Sequence, residues 1–238
     1  MRLYLTRPRE LARHFAAGLA MIAPCRRALA LRAPRPEEAL RRLATGLLLR
    51  RVLGVTRDTD LTFGPHGKPA LSRGGPCFSL SYAGEYALLS VARAPHGADM
   101  EAVVPIPPAL AHRCLAPEEL ALWRAAPDPD DLFCRFWTGK ESLMKATGLG
   151  FRLAPDRVRL LPPERTAIAL GGVSWFVRGL AWDGCRIAVA RPGPEPLEPS
   201  KPTLLPGLEL LEPPRPTVAR PTLSPDATPC PRMRHPPF

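Results

Sequence analysis

The chain is poor in aromatic residues, 6% of 238, and has no aromatic-rich stretch of the kind on which single-stranded nucleic acids stack. Its six cysteines, Cys25, Cys77, Cys114, Cys134, Cys185 and Cys230, include no CxxC pair and no accompanying histidine spacing. That excludes the common zinc frameworks and leaves reduced, mostly core thiols as the expectation. No Walker A or G-x-G-x-x-G loop precedes a helical segment, and Ser142 and Ser174 have neither a G-x-S-x-G elbow nor a partner histidine. Nucleotide cradles of those two types and serine hydrolysis are thereby set aside. The histidines, His14, His66, His96, His112 and His235, are scattered. No apolar run reaches the roughly 20 residues that a bilayer span needs. The run Phe15 to Ala23 imitates a signal-peptide core but lacks a small-x-small cleavage site before Pro24, so a soluble, cytoplasmic protein is expected.

Proline is in surplus, with 32 residues against an average usage of roughly 5%. About half of them lie from Arg191 onward, a composition that cannot pack a core, so residues 191–238 are expected to be a disordered tail. That tail carries six basic and five acidic residues, so +10 of the formal +11 charge belongs to the rest of the chain. A basic body attracts polyanions, whether nucleic acid, acidic protein or a phosphorylated small molecule.

Helix signals bracket Pro36 to Leu53: Glu37 and Glu38 in the first turn, Arg50 and Arg51 in the last, and Gly54 beyond. Leu40, Leu43, Leu47 and Leu48 give that helix an apolar face. After the loop Phe63 to Pro69, the runs Phe78 to Tyr82 and Tyr86 to Arg93 read as a hairpin turning at Ala83-Gly84-Glu85, and Ala98 to Val103 reads as a further extended segment. Helical patterns follow at Pro117 to Arg124 and from about Asp131 to Thr147, the latter with Asp130 or Asp131 as N-cap and Gly148 as its stop. Val158 to Leu161, Ser174 to Val177 and Cys185 to Ala190 read as strands of a second small sheet.

Three groups of residues carry chemistry. Asp99 and Glu101, one residue apart in an extended segment, share one face, and two like charges at that spacing suit a hard divalent cation between them. Taken alone, such a pair is more commonly an exposed acidic edge. Glu141 and Lys145 share a helix face at i, i+4. In isolation that is a weak surface ion pair, but Lys140, Glu141 and Lys145 interrupt a helix that is otherwise apolar and rich in aromatic residues. Lys68, between Gly67 and Pro69, is placed in a loop with an ammonium suited to phosphate.

The order and spacing of GKPAL, FSLSYAGEYALLSV, GADME and FWTGKESLMKATGLGF resemble the surfactin-activating type of 4'-phosphopantetheinyl transferase. The resemblance spans about Pro36 to Ala190. It implies an α+β fold of two similar pseudo-symmetric lobes, with residues 1–98 as the N-terminal lobe, residues 99–190 as the C-terminal lobe, and coenzyme A bound between them. It implies transfer of the phosphopantetheine arm of coenzyme A to a serine of an apo carrier protein, with 3',5'-ADP released. Asp99, Glu101 and Glu141 would be the Mg²⁺ ligands. Lys145 and Lys140 would neutralise phosphates or organise the site, and Glu141 would accept the serine proton. Lys68 would contact the nucleotide end, and Ser81 would lie at the 3'-phosphate or pyrophosphate.

This chain departs from the family pattern where His-Ser is usual, having Tyr82 and Ala83. A tyrosine can donate one hydrogen bond but cannot carry an imidazolium charge, so Arg50, Arg51 or Arg73 would have to compensate. The implied partners are coenzyme A and an acidic apo carrier protein, met by a monomer, with neither membrane nor nucleic acid expected. The rival reading is a non-catalytic basic binding module on the same scaffold, for nucleic acid or a carrier protein.

Overall fold

The helix signals at Pro36 and Gly54 act where the sequence places them. In the computed structural model, which describes residues 1–193 and 198–213, a helix runs Pro36–Leu53. Gly54 closes it at φ 71° and donates its N–H to the Arg50 carbonyl at 3.0 Å, a left-handed cap that glycine adopts without a Cβ penalty.

The first elements in chain order are β1 (Arg2–Thr6), α1 (Phe15–Met21), α2 (Pro24–Leu31), α3 (Pro36–Leu53), β2 (Leu61–Phe63), β3 (Pro69–Leu71), β4 (Cys77–Ala83) and β5 (Tyr86–Ala92). They are followed by β6 (Gly97–Ala102), α4 (Pro108–Cys114), α5 (Pro117–Ala125), α6 (Pro129–Thr147), β7 (Arg165–Leu170), β8 (Val173–Trp182), β9 (Cys185–Pro192) and β10 (Thr203–Leu204). Helices and antiparallel strands are mixed, and the class is α+β.

Two compact units emerge. The first holds Met1–Gly64, Pro69–Arg93 and the described residues from Ser200, and the second holds Pro65–Lys68 and the described residues of Ala94–Pro199. In the first, the sheet order is β10-β1-β5-β4, with β4 and β5 joined as the expected hairpin and Gly84 at φ 52° in its turn. Leu43, Leu47 and Leu48 of α3 pack with Phe78, Ala87 and Leu89 of this sheet in one core. Each fully buried leucine contributes roughly 2 kcal/mol relative to exposure. In the second unit the order is β6-β9-β8-β7, all antiparallel, and Phe136, Leu143 and Met144 of α6 share a core with Val177 and Ala190.

Several expectations shift. Helix α6 begins at Pro129, not Asp131, because the Asp128 carboxylate caps it, accepting from Asp131 N at 3.0 Å, and proline suits the first helical position. Residues 158–161 form no strand. Their backbone polar groups turn to side chains, with Leu160 N donating to Glu119 at 2.7 Å and the Val158 carbonyl accepting from Lys140 at 2.7 Å. The strand position in the sheet goes to Arg165–Leu170 instead.

The tail is ordered where it is described. Arg191 and Pro192 end β9, β10 pairs in parallel with β1, and Leu210 is 0% exposed in the core of the first unit. The rest of the expected tail, 194–197 and 214–238, lies outside the described residues. Cys25, Cys114, Cys134 and Cys185 are free thiols, whereas Cys77 is disulfide-bonded, contrary to the expectation of six reduced cysteines.

Candidate active site

Strand β6 and helix α6 of the second unit build the site. Across the β6–β9 ladder Asp99 stands opposite Ala188 and Glu101 opposite Arg186, so strand period two puts both carboxylates on one face. Met100, between them, is 0% exposed. The strand can approach the helix because its first residue is Gly97. A Cβ there would stand 2.1 Å from the Ser142 carbonyl oxygen and 2.3 Å from Ala146 N. Backbone thus lies on backbone, and the Asp99 side meets the Glu141–Lys145 face of α6.

Asp99, Glu101 and Glu141 each offer a carboxylate oxygen, and the three atoms lie within 4.8 Å of one another. The Lys145 ammonium donates to Asp99 Oδ1 at 2.6 Å and stands 3.9 Å from Glu141 Oε2. Burial pushes Glu141 up to about 8, the Asp99 and Glu101 charges adding to that and Lys145 opposing it. Three carboxylates thus crowd together beside the Lys145 ammonium. Three hard oxygen donors in that state fit Mg²⁺ or a similar divalent ion, and Asp99, Glu101 and Glu141 are the residues that could hold it. Cys134, whose Sγ lies 3.6 Å from the Glu101 carbonyl, is pushed up to about 12 by burial and so stays a neutral thiol, unsuited to ligation.

Lys140 is not in this cluster. It is 0% exposed and pairs with Glu119 at 2.6 Å, donating also to the Pro155 and Val158 carbonyls at 2.7 Å each. Glu119 is likewise fully buried and accepts from Ala116 N at 2.8 Å and Leu160 N at 2.7 Å. All three ammonium protons have partners, and the pair pins the 155–160 segment beneath α6. Sequence reasoning missed Glu119. Its one signal was an acid in the first turn of α5, which reads equally as a helix-dipole partner.

Lys68, expected to hold out a free ammonium, spends it on the protein. Its Nζ donates to the His96 carbonyl at 2.9 Å and the Ala146 carbonyl at 3.1 Å, and burial pulls it down to about 8.

The remaining candidates belong to the first unit. Ser81 is buried in β4, and Tyr82, next along, is 39% exposed. Arg50 and Arg51 do not serve Tyr82. Arg50 donates to the Leu210 and Glu212 carbonyls at 3.3 and 2.8 Å, and the buried Arg51 binds the Pro213 carbonyl and the Glu212 carboxylate. Arg73 is exposed. A cation that does meet Tyr82 is Arg41 of α3. Its guanidinium carbon lies 5.7 Å from the Tyr82 ring centroid, and it donates to the Gly84 carbonyl at 2.9 Å.

By class, this is an α+β protein with a cluster of three carboxylates, set between a strand and a helix, that could hold a hard cation. Comparison with known proteins gives the family. The profile of the 4'-phosphopantetheinyl transferase superfamily matches residues 95–187. A putative 4'-phosphopantetheinyl transferase of Synechocystis sp. is 33% identical over 146 residues, covering 56% of this chain and 58% of that protein. The 4'-phosphopantetheinyl transferase HetI of Nostoc sp. is 31% identical over 173 residues, covering 66% of this chain and 73% of that protein. Among solved structures, holo-[acyl-carrier-protein] synthase of Thermotoga maritima aligns with TM-score 0.30 and 17% identity over 41% of this chain and 61% of that one, too slight a likeness to carry an argument. The chain belongs to the 4'-phosphopantetheinyl transferase superfamily.

Proposed function

We propose that this protein transfers the 4'-phosphopantetheine arm of coenzyme A to a serine of an apo carrier protein, releasing 3',5'-ADP. The observation that carries the reading is the triad Asp99, Glu101 and Glu141 within 4.8 Å, with the Lys145 ammonium on Asp99 at 2.6 Å. Mg²⁺, when bound there, supplies charge stabilisation to the pyrophosphate oxygens.

The chain's own residues do the rest. The bond that forms joins the serine oxygen to the β-phosphorus of coenzyme A, and the bond that breaks joins that phosphorus to the bridging oxygen of the leaving 3',5'-ADP. Glu141 accepts the serine proton, a general-base role open to a carboxylate within reach of the attacking hydroxyl. Lys145 offsets the negative charge that gathers on the leaving group. Ser81 and Tyr82, with the Arg41 guanidinium stacked on the tyrosine, are assigned to the phosphates of the nucleotide end. Arg41 there supplies the charge that tyrosine, in place of histidine, cannot.

Within the superfamily we assign the surfactin-activating type. In support, each of the two units carries a four-stranded sheet and one helix of at least 18 residues, and the GKP, Ser81, GADME and WTGKESLMK elements follow in that type's order. The basic body, +11 overall, suits an acidic carrier, and we take the acting species to be a monomer. A cytoplasmic setting completes the reading.

The test is mass spectrometry of several apo carrier proteins incubated with coenzyme A, Mg²⁺ and the protein. A mass gain of one phosphopantetheine is expected with wild type and none with Glu141→Gln. Failure to modify any carrier with folded wild type would overturn the reading.

A further inference from the structure

We propose that Lys68 is a positioning residue for the carboxylate cluster. It laces the start of the strand that bears Asp99 and Glu101 to the end of the helix that bears Glu141 and Lys145. The inference rests on the metal-binding reading of that cluster.

Its ammonium donates to two backbone carbonyls, His96 at 2.9 Å and Ala146 at 3.1 Å. His96 immediately precedes β6, and Ala146 immediately follows Lys145 in the last turn of α6. Carbonyls of a final helical turn lack intrahelical partners and sit at the negative end of the helix dipole, where a cation is favoured. Lys68 therefore meets one element at its entry and the other at its exit.

Next to the two anchor points the strand and helix backbones approach closely. Gly97 rests on residues 142–146 of α6 with no room for a Cβ, the nearest atom being 2.1 Å from where one would stand. The glycine lets β6 reach the helix, and the lysine keeps it there. The helix-ending Gly148, at φ 75°, flanks the lysine stem, its ideal Cβ position 3.8 Å from Lys68 Cδ.

Donor counting supports a positioning role over a ligand contact. Two of the three ammonium protons are committed to protein carbonyls, which leaves at most one for an outside group. Neutral carbonyls also repay the desolvation of an ammonium poorly, and burial accordingly pulls Lys68 down to about 8. A costly cation is placed where it fixes the spacing of two ligand-bearing elements. A Mg²⁺ site demands oxygen positions near 2.0–2.1 Å from the ion, so a small slip of β6 along α6 would remove a ligand.

The experiment titrates Mn²⁺ and, separately, coenzyme A into full-length wild type, Lys68→Met and Lys68→Arg by calorimetry, with circular dichroism as the check of fold. Supporting residues of metal ligands typically cost 10–100-fold in metal affinity, so Lys68→Met should raise the Mn²⁺ dissociation constant about tenfold or more. Its coenzyme A dissociation constant should stay within roughly twofold of wild type. Lys68→Arg, which keeps the charge, should fall between the two proteins on the metal constant. If Lys68→Met loses its fold, Lys68→Arg decides on the same two constants.

Weakened coenzyme A binding with unchanged Mn²⁺ affinity would overturn the inference and return Lys68 to the nucleotide. Two unchanged constants would overturn it as well. In either of those cases the transferase reading stands. A wild type that binds no Mn²⁺ would overturn the metal reading of the carboxylates together with the inference.

Discussion

Lys140 and Glu141 are consecutive residues of one helix with opposite fates. A rotation of about 100° per residue separates them, enough to send one side chain to the sealed pair with Glu119 and the other to the carboxylate cluster. Lys140→Met should therefore act on folding. It strands a fully buried Glu119 carboxylate, and breaking such a pair costs about 3–5 kcal/mol, which urea unfolding will show. The Mn²⁺ affinity of the protein that remains folded should change by less than about threefold, whereas a larger change would put Lys140 back in the site.

Glu141 itself gives a pH signature in the absence of metal. Its folded value is raised to about 8, so between its ordinary range near 4.5 and about 8 the folded state holds a proton that the unfolded state has lost. Metal-free stability from this group is thus greatest in acid and falls as pH rises through that window. Glu141→Gln, which cannot ionise, should melt above metal-free wild type by a margin that widens from about pH 5 to about pH 8. A constant margin would show that ionisation of Glu141 does not burden the fold. The i, i+4 spacing of Glu141 and Lys145 was open to reading from sequence because one helix contains both. The Lys140–Glu119 pair was not, because its geometry depends on how α5 packs against α6.

At the scale of elements, the site is a joint between β6 and α6, and Gly97 is its hinge pin. Gly97→Ala would put a methyl group 2.1 Å from the Ser142 carbonyl oxygen and 2.3 Å from Ala146 N. Rigid backbone cannot yield as a side chain would, so the strand must lift from the helix. The expected result is a loss of at least about 3 kcal/mol in denaturant unfolding, in the upper range for single substitutions, together with loss of Mn²⁺ binding in whatever folded protein survives. Wild-type stability and Mn²⁺ affinity in this variant would disprove the close approach.

The boundaries of α3 and the β4–β5 hairpin were legible because caps, turn glycines and apolar spacing are local signals. The strand misassigned to residues 158–161 shows the limit. Val158 and Leu160 have strand-like side chains and are buried at 1% and 0% exposure, yet their backbone groups are claimed by Lys140 and Glu119. An apolar run reports burial, and only the partners of its amides decide whether it joins a sheet.

Over the whole molecule, composition hid structure at one end. Averaged from Arg191 onward, the proline content reads as an unfolded tail, but Leu204, Leu205, Leu208, Leu210 and Leu211 are concentrated within it. Leu205 and Leu210 join the core of the first unit while Arg50 and Arg51 hold the following carbonyls. A window average dilutes such a cluster, and the arginines that receive it lie far upstream in α3.

Net charge, by contrast, survives averaging. On the proposed reading, a charge of +11 should draw in an acidic carrier by long-range attraction, which acts on the encounter rate and is screened over a Debye length of about 10 Å at 0.1 M salt. Raising salt from about 0.05 to about 0.5 M should lower kcat/KM for the carrier by roughly tenfold or more, mostly through KM. Coenzyme A is also an anion, so the carrier term must be isolated. Repeating the series at saturating coenzyme A, with a carrier whose acids around the modified serine are changed to amides, should flatten the slope. A slope that is equally steep for both carriers would show that the positive charge serves the nucleotide and that the carrier is recognised by shape.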